Sequence, residues 1–290
     1  MHRLGREVRK QIDLAVPVVA PAAPLRHRRL LVTSLNAWDG VGLDGGHPSI
    51  EPANYALAQM GAVTGAYTAF FSDDVNLLRA DHLAAFDAVC FNNTVGVLTH
   101  DEALRRDLLA FVAGGGGFVG FHAAAATFCQ YPEYGQFPEF GQMLGGYENG
   151  GHPWGPEETI VLSPVDRDHP VNASFGGQDF ELQDEVFQMR EHYDRRRLRV
   201  LLAINPERTD TGPGRRILPE RRADLDLAIS WIRRHGLGRV FYSSLGHNPH
   251  IFWNGALLGH FLAGIQYALG DLAVDDSPPG GRLESVTGWV

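Results

Sequence analysis

The stretch GGGGFVGFHAAAATF, residues 114–128, decides the fold. Its glycines stop a helix, GFVGF (117–121) reads as a short buried strand, and the chain then turns sharply at His122 into four alanines. A sharp strand-to-helix turn is where several α/β enzymes hold out their nucleophile at the top of the sheet. Histidine is seldom that nucleophile. Either the site has changed chemistry, or the geometry survives and the chemistry has gone.

Working outward, strand and helix signals alternate. LLVTSL (30–35) is a strand, ANYALAQMGA (53–62) a helix, VTGAYTAFF (63–71) a second strand and FDAVCFNN (86–93) a third. THDEALRRDLLAFVAGGGG (99–117) then reads as a helix with a threonine N-cap, and its Leu104, Leu108, Leu109, Phe111 and Val112 share one face. This order predicts βαβ units and a mainly parallel sheet with helices on both faces. The second half adds strand signals at ETIVLS (158–163), FEL (180–182), RVLLAI (199–204), LAISWI (227–232) and RVFYSSL (239–245). The last two flank a hairpin at 233–238, and FWNGALLGHFLAGIQYAL (252–269) is a closing helix. Its apolar stripe suits a homo-oligomer interface as well as it suits packing on the sheet. Residues 205–224 read as a mobile polar loop. Three segments result: an N-terminal extension with a proline-rich linker (1–28), a single α/β domain (29–270) and an irregular tail (271–290).

The chain has 290 residues, 44% of them hydrophobic, which is enough for a sizeable core. A net charge of -9 argues against nucleic acid as a partner, because phosphate binding needs a basic face. The paired arginines, Arg28–Arg29 among them, read as solvated surface. Cys90 sits in the apolar run DAVCF as a core thiol, and Cys129 lies beyond the turn where a nucleophile would stand. Two cysteines make no disulfide framework, which fits a reducing compartment. The basic-then-apolar start of the chain is split by Asp13 and interrupted by Pro17, Pro21 and Pro24, unlike a signal peptide. No run spans a membrane. The expected location is the cytoplasm.

In an open parallel sheet, ligands bind beyond the carboxyl ends of the strands. Polar residues that follow the strand signals are therefore the candidates. Asn36, Trp38 and Asp39 follow the first, Asn92 and Asn93 the third, His122 the fourth; Asp184 and Glu185 follow FEL, and His247 follows RVFYSSLG. His122, Glu185, His247 and Asp184 are the candidate catalytic groups. Asn36, Trp38, Asp39, His152 and Trp154 are candidate substrate contacts. Each has a structural alternative: a buried histidine bonded to a carbonyl, a turn cap, or an ion pair. His169, before Pro170, reads as a turn residue. Neutral imidazoles with a carboxylate suit a divalent metal such as zinc, with His122, His152, Glu185 and His247 as ligands. The same residues without metal make a general acid and base pair.

GGGFVGFHAAAATF, GQMLGGYENGGHP, DRDHPV, FELQDEVFQM and SWIRRHGLGRVFYSSLGH occur in the order seen in the ThuA-like (trehalose-utilisation) family, which the chain resembles over roughly residues 30–270. The resemblance implies a flavodoxin-like sheet, as in class I glutamine amidotransferases. There a cysteine stands at the turn and a downstream histidine activates it. With His122 in that place a thioester on glutamine is excluded, while His247 falls where the amidotransferase histidine would. The family's site residues map onto His122, His152, His169, Asp184, Glu185 and His247. The chain departs from the family in two places. Phe187 replaces a tyrosine, and the loop after the first strand, NAWDGVGLDGGHP, sets its histidine late, at His47.

The resemblance implies a role in carbohydrate utilisation. The leading expectation is an enzyme acting on a disaccharide or 3-keto-sugar, by acid–base or metal-assisted chemistry. The alternatives are a non-catalytic sugar-binding protein on a decayed amidotransferase scaffold and a metal-dependent hydrolase. Clustered titratable residues at strand ends favour an enzyme, since a sugar groove does not require them.

Overall fold

The computed structural model describes residues 4–37, 46–130, 134–148 and 151–278. Its strands are β1 (Arg29–Thr33), β2 (Thr68–Phe71), β3 (Ala88–Asn92), β4 (Gly117–Phe121), β5 (Thr159–Pro164), β6 (Phe180–Gln183), β7 (Arg199–Ile204), β8 (Ala228–His235) and β9 (Gly238–Ser243). They form one nine-stranded sheet in the order β6-β5-β7-β8-β9-β4-β3-β1-β2. The helices are α1 (Arg6–Ala15), α2 (Ile50–Thr64), α3 (Ala80–Leu83), α4 (Glu102–Ala113), α5 (Pro138–Leu144), α6 (Pro219–Asp224) and α7 (Gly255–Leu269).

The sheet divides by direction. β2, β1, β3, β4 and β9 run parallel, and β8, β7, β5 and β6 continue the sheet antiparallel. The expected parallel sheet is therefore the first half of a mixed one. The physical reason is the hairpin at Gly236 (φ 58), which sends β9 back beside β8 and in between β8 and β4. Every residue of β3 and β4 is buried, as parallel strands covered on both faces require. Side chains alternate between two cores. Leu30, Val32, Cys90, Val119 and Phe121 pack toward α1, α2 and α7, whereas Leu31, Val89, Phe91 and Phe118 pack toward α4 and α5.

Several local expectations change. The N-cap of α4 is Asp101, whose carboxylate accepts from the Ala103 and Leu104 N–H groups; Thr99 instead bonds the Asp101 N–H. Residues 63 and 64 end α2 rather than opening a strand, because Gly65 (φ 68) stops the helix there. Residues 205–224 are packed: Thr209 Oγ1 accepts from the Val161 N–H at 2.9 Å, Ile217 is buried, and α6 lies within the segment. The N-terminal extension carries α1, which buries Ile12 against α2.

Arg28 is not solvated. Its guanidinium lies 2.6 Å from Asp271 Oδ1 and 3.2 Å from Asp87 Oδ1, and all but 8% of the residue is buried. This pair ties the start of β1 to the chain just beyond α7. Asp271→Ala would leave a buried guanidinium short of one carboxylate, and removing one partner of such a pair costs about 3–5 kcal/mol. Urea unfolding of that variant should show a loss of about 3 kcal/mol, the lower end because Asp87 remains.

Candidate functional site

The turn after β4 is as sharp as its sequence implies. His122 adopts φ 46, in the left-handed region, and opens a short 3-10 turn over His122–Ala126. Gly120 leaves room for this turn, since a Cβ there would sit 3.1 Å from Ala124 Cβ and from Tyr242 Cδ2. β9 holds the residue from both sides: His122 Nδ1 donates to the Ser244 carbonyl at 2.9 Å, and the Tyr242 hydroxyl donates to the His122 carbonyl at 2.8 Å. Nδ1 therefore carries the proton and Nε2 keeps a free lone pair.

That lone pair faces a cluster. His247 Nδ1 is 3.2 Å from His122 Nε2, and Glu185 Oε1 is 3.3 Å from His247 Nδ1 and 3.8 Å from His122 Nε2. His47 completes it, its ring centroid 4.9 Å from that of His122 and 5.2 Å from that of His247. One ligand atom from each of His47, His122 and His247 lies within 4.8 Å of the others. His152 stands outside the carboxylate, with Nδ1 3.6 Å from Glu185 Oε2 and Nε2 3.5 Å from Glu148 Oε1. Phe187 stacks on His122 at 4.3 Å and lies against His152 at 4.8 Å, so a phenyl walls the site where the resemblance led to the expectation of a phenol.

Burial orders the charges. It drives His122 well below the usual imidazole range, helped by the neighbouring His47 and His247. His47 is lowered to about 4, by burial first and then by His247. At His152 burial also opposes the charged form, but the Glu148 hydrogen bond and the two carboxylates outweigh it and raise the pKa. Glu185 resists burial through its bond to His247 and the charges of His152 and His247, so its pKa falls.

Of the expected catalytic set, His122, Glu185 and His247 meet, and Asp184 does not face them. Asp184 is fully buried; Oδ2 accepts from the Gly246 N–H at 2.7 Å and Oδ1 from the Asn248 N–H at 2.8 Å. It holds the loop that carries His247. Burial pushes its carboxyl up to about 7 against those two bonds. The expected ligand His152 lies on the far side of Glu185, and His47 takes its place in the histidine triad. Trp154 is 2% exposed with Nε1 donating to the Asp210 carbonyl, so its ring offers no face to a sugar. Asn36 lies in a two-residue ribbon with Val95–Gly96, beside Gly46 and hence near His47. Trp38 and Asp39 lie outside the described residues. His169 is a turn residue, Nδ1 accepting from the Val171 N–H and Nε2 facing the Asp275 carbonyl at 3.0 Å. Sequence reasoning missed His47 as a member of the cluster, together with Glu148 and Ser244. The late histidine of the first loop was the one available signal.

The fold and site define a mixed α/β protein with a histidine-rich cluster beyond the carboxyl ends of β4 and β9. The ThuA family (trehalose utilisation) matches residues 38–268, and the chain belongs to that family. Solved structures share its fold. A ThuA-like protein from Bacteroides uniformis ATCC 8492 superposes with a TM-score of 0.62 at 18% identity, covering 84% of this chain and 92% of that one. One from Parabacteroides merdae ATCC 43184 gives 0.58 at 20% identity, covering 86% and 92%. A protein described as cytoplasmic, from Salmonella typhimurium LT2, gives 0.52 at 13% identity, covering 83% and 99%. No curated protein matches the sequence. Among the described residues no helix is long and apolar enough to cross a membrane.

Asp184→Asn would turn one of the two acceptors toward Gly246 and Asn248 into a donor. A buried donor left facing a donor costs about 1–3 kcal/mol. Urea unfolding at neutral pH should show a loss in that range.

Proposed function

We propose that this ThuA-family protein is a carbohydrate-active enzyme that uses Glu185 as a base beside a metal held by His47, His122 and His247. The observation that carries this reading is the convergence of three buried imidazoles and one carboxylate beyond β4 and β9. The parallel strands run in the order β2-β1-β3-β4-β9, the order of flavodoxin-like sheets, which supports descent from an amidotransferase-type scaffold. His122 stands where such a scaffold would hold its cysteine.

The residues fit a divalent cation such as zinc. His122 Nε2 carries no proton because Nδ1–H is committed to a carbonyl, the outer bond that commonly fixes a metal-binding imidazole. His47 Nδ1 is buried with no hydrogen-bond partner. The 3.2 Å between His122 Nε2 and His247 Nδ1 is close to the edge of about 3.3 Å expected between nitrogens around tetrahedral zinc. Such an ion supplies Lewis-acid polarisation of a substrate oxygen.

The chain's own residues supply the rest. A disaccharide oxidised to a keto-sugar carries an acidified C–H beside its carbonyl. Glu185, kept ionised by its neighbours, takes that proton; the C–H pair forms a C=C bond while the carbonyl π pair moves onto oxygen, and return of that pair either expels the β-oxygen with its C–O electrons (elimination) or accompanies reprotonation at carbon (isomerisation). His152, at the open edge with a raised pKa, donates a proton to the departing oxygen. Phe187 keeps water from the inner rings. Hydrolysis of a related sugar at the same centre is the second reading, which the histidine triad itself favours. A cytoplasmic location and the absence of nucleic-acid or membrane partners go with this proposal. A binding-only role would give saturable sugar binding with no product under any metal condition.

Elemental analysis comes first: near-stoichiometric zinc or a similar ion in the wild type, lost in His122→Asn, is the expected result. Asparagine tolerates the left-handed backbone, so the variant should keep its fold by circular dichroism. With a keto-disaccharide, Glu185→Gln should lower kcat by about 10²–10⁴-fold. Turnover unchanged in both variants would sink the proposal, and product formation that survives chelation would remove the metal from it.

Metal affinity should also resist acid. Only neutral imidazole binds, and three ordinary histidines would lose about 10³ in affinity between pH 7.5 and 5.5. With His47 lowered to about 4 and His122 lowered well below its usual value, both stay neutral throughout that window. Competition titrations at the two pH values should differ by far less than that ~10³-fold.

A further inference from the structure

We propose that Asn93 is the positioning residue of the histidine centre, one side chain and one backbone N–H that set the spacing of three loops. The inference rests on the metal reading of His47, His122 and His247.

Asn93 follows β3 and adopts φ 56, again in the left-handed region. Its bonds reach the chain next to each histidine. Its backbone N–H donates to the carbonyl of Phe121, which precedes His122, at 3.3 Å. Its Nδ2 lies 3.4 Å from the Gly246 carbonyl, which precedes His247, and 3.4 Å from Ser49 Oγ, two residues after His47. Nδ2 also donates to Asn92 Oδ1 at 3.0 Å, which fixes the orientation of the amide.

Two further observations separate this arrangement from ordinary packing. Ser49 stands at the N-cap of α2, yet its hydroxyl does not cap the helix; it donates to the Gly246 carbonyl at 2.5 Å. A favourable local bond is given up to join the loop of His47 to the loop of His247. Asn93 is fully buried, and its Oδ1 has no hydrogen-bond partner. A buried acceptor without a partner works against stability, so the bonds that Nδ2 makes to the histidine loops are made at a cost. His47 Nδ1 is a second buried atom in this region without a partner.

The test uses the full chain and Co²⁺ alone. Asn93→Gly removes the carboxamide while tolerating the same backbone angle. Asn93 touches the chain beside the ligands rather than their rings, so its loss should fall at the low end of the 10–100-fold that outer contacts of a metal site commonly cost: Co²⁺ should bind about tenfold more weakly, with altered visible bands. Wild-type affinity and bands in the variant would overturn the proposal. If the wild type binds no Co²⁺, the metal reading fails by itself. Positioning is then read from the metal-free histidine ring NMR signals: displaced His47 and His247 signals in Asn93→Gly support it, unchanged ones overturn it. Should Asn93→Gly not fold, Ser49→Ala takes the same measurements, with a loss in the same direction expected.

Discussion

The hydrogen bond from His122 Nδ1 to the Ser244 carbonyl organises everything around it. It joins the ends of two neighbouring parallel strands, sets the tautomer and aims Nε2 at His247 and Glu185. The Tyr242 hydroxyl fixes the carbonyl of the same residue, so β9 and the residue just beyond it determine both the ring and the backbone of the residue that follows β4. A left-handed histidine costs of order 1–3 kcal/mol and persists only where its surroundings over-determine it. Here they do, and Ser244 also accepts the Phe187 N–H through Oγ, bringing in the wall of the site.

Burial then sorts the charges from inside to outside. The inner imidazoles, His122 and His47, are driven toward the neutral form, because a charge among apolar neighbours is poorly solvated. His152 at the edge, between two carboxylates, is held toward the charged form. Glu185 joins the two zones: Oε1 faces His122 and His247, and Oε2 faces His152. Asp184, one residue earlier, looks the other way and ties down the loop of His247.

The parts legible in sequence are those set by local geometry. Glycine before an apolar run and histidine after it describe β4 and its turn, and the ordered motifs carry the family. What stayed hidden depends on direction or distance. Asp184 and Glu185 look equivalent in a sequence, but successive residues of extended chain point to opposite sides, so only one can reach the cluster. Trp154 follows the glycines that suit a ligand loop, yet its bridge to Val186 turns the ring inward. His47 follows β1 only after a long loop, and no local pattern says that it returns to His122. Arg28 looked solvated because its carboxylate partner Asp271 lies at the other end of the domain.

The aromatic residues bear on whether such a centre is built to bind or to react. A sugar groove presents aromatic faces to solvent so that a ring can stack on them. Phe187 instead spends one face on the His122 imidazole and leans on His152, with only 5% of it exposed, and Trp154 is buried. Burial strengthens electrostatic interactions within the cluster and favours the neutral form of the inner imidazoles, His122 and His47.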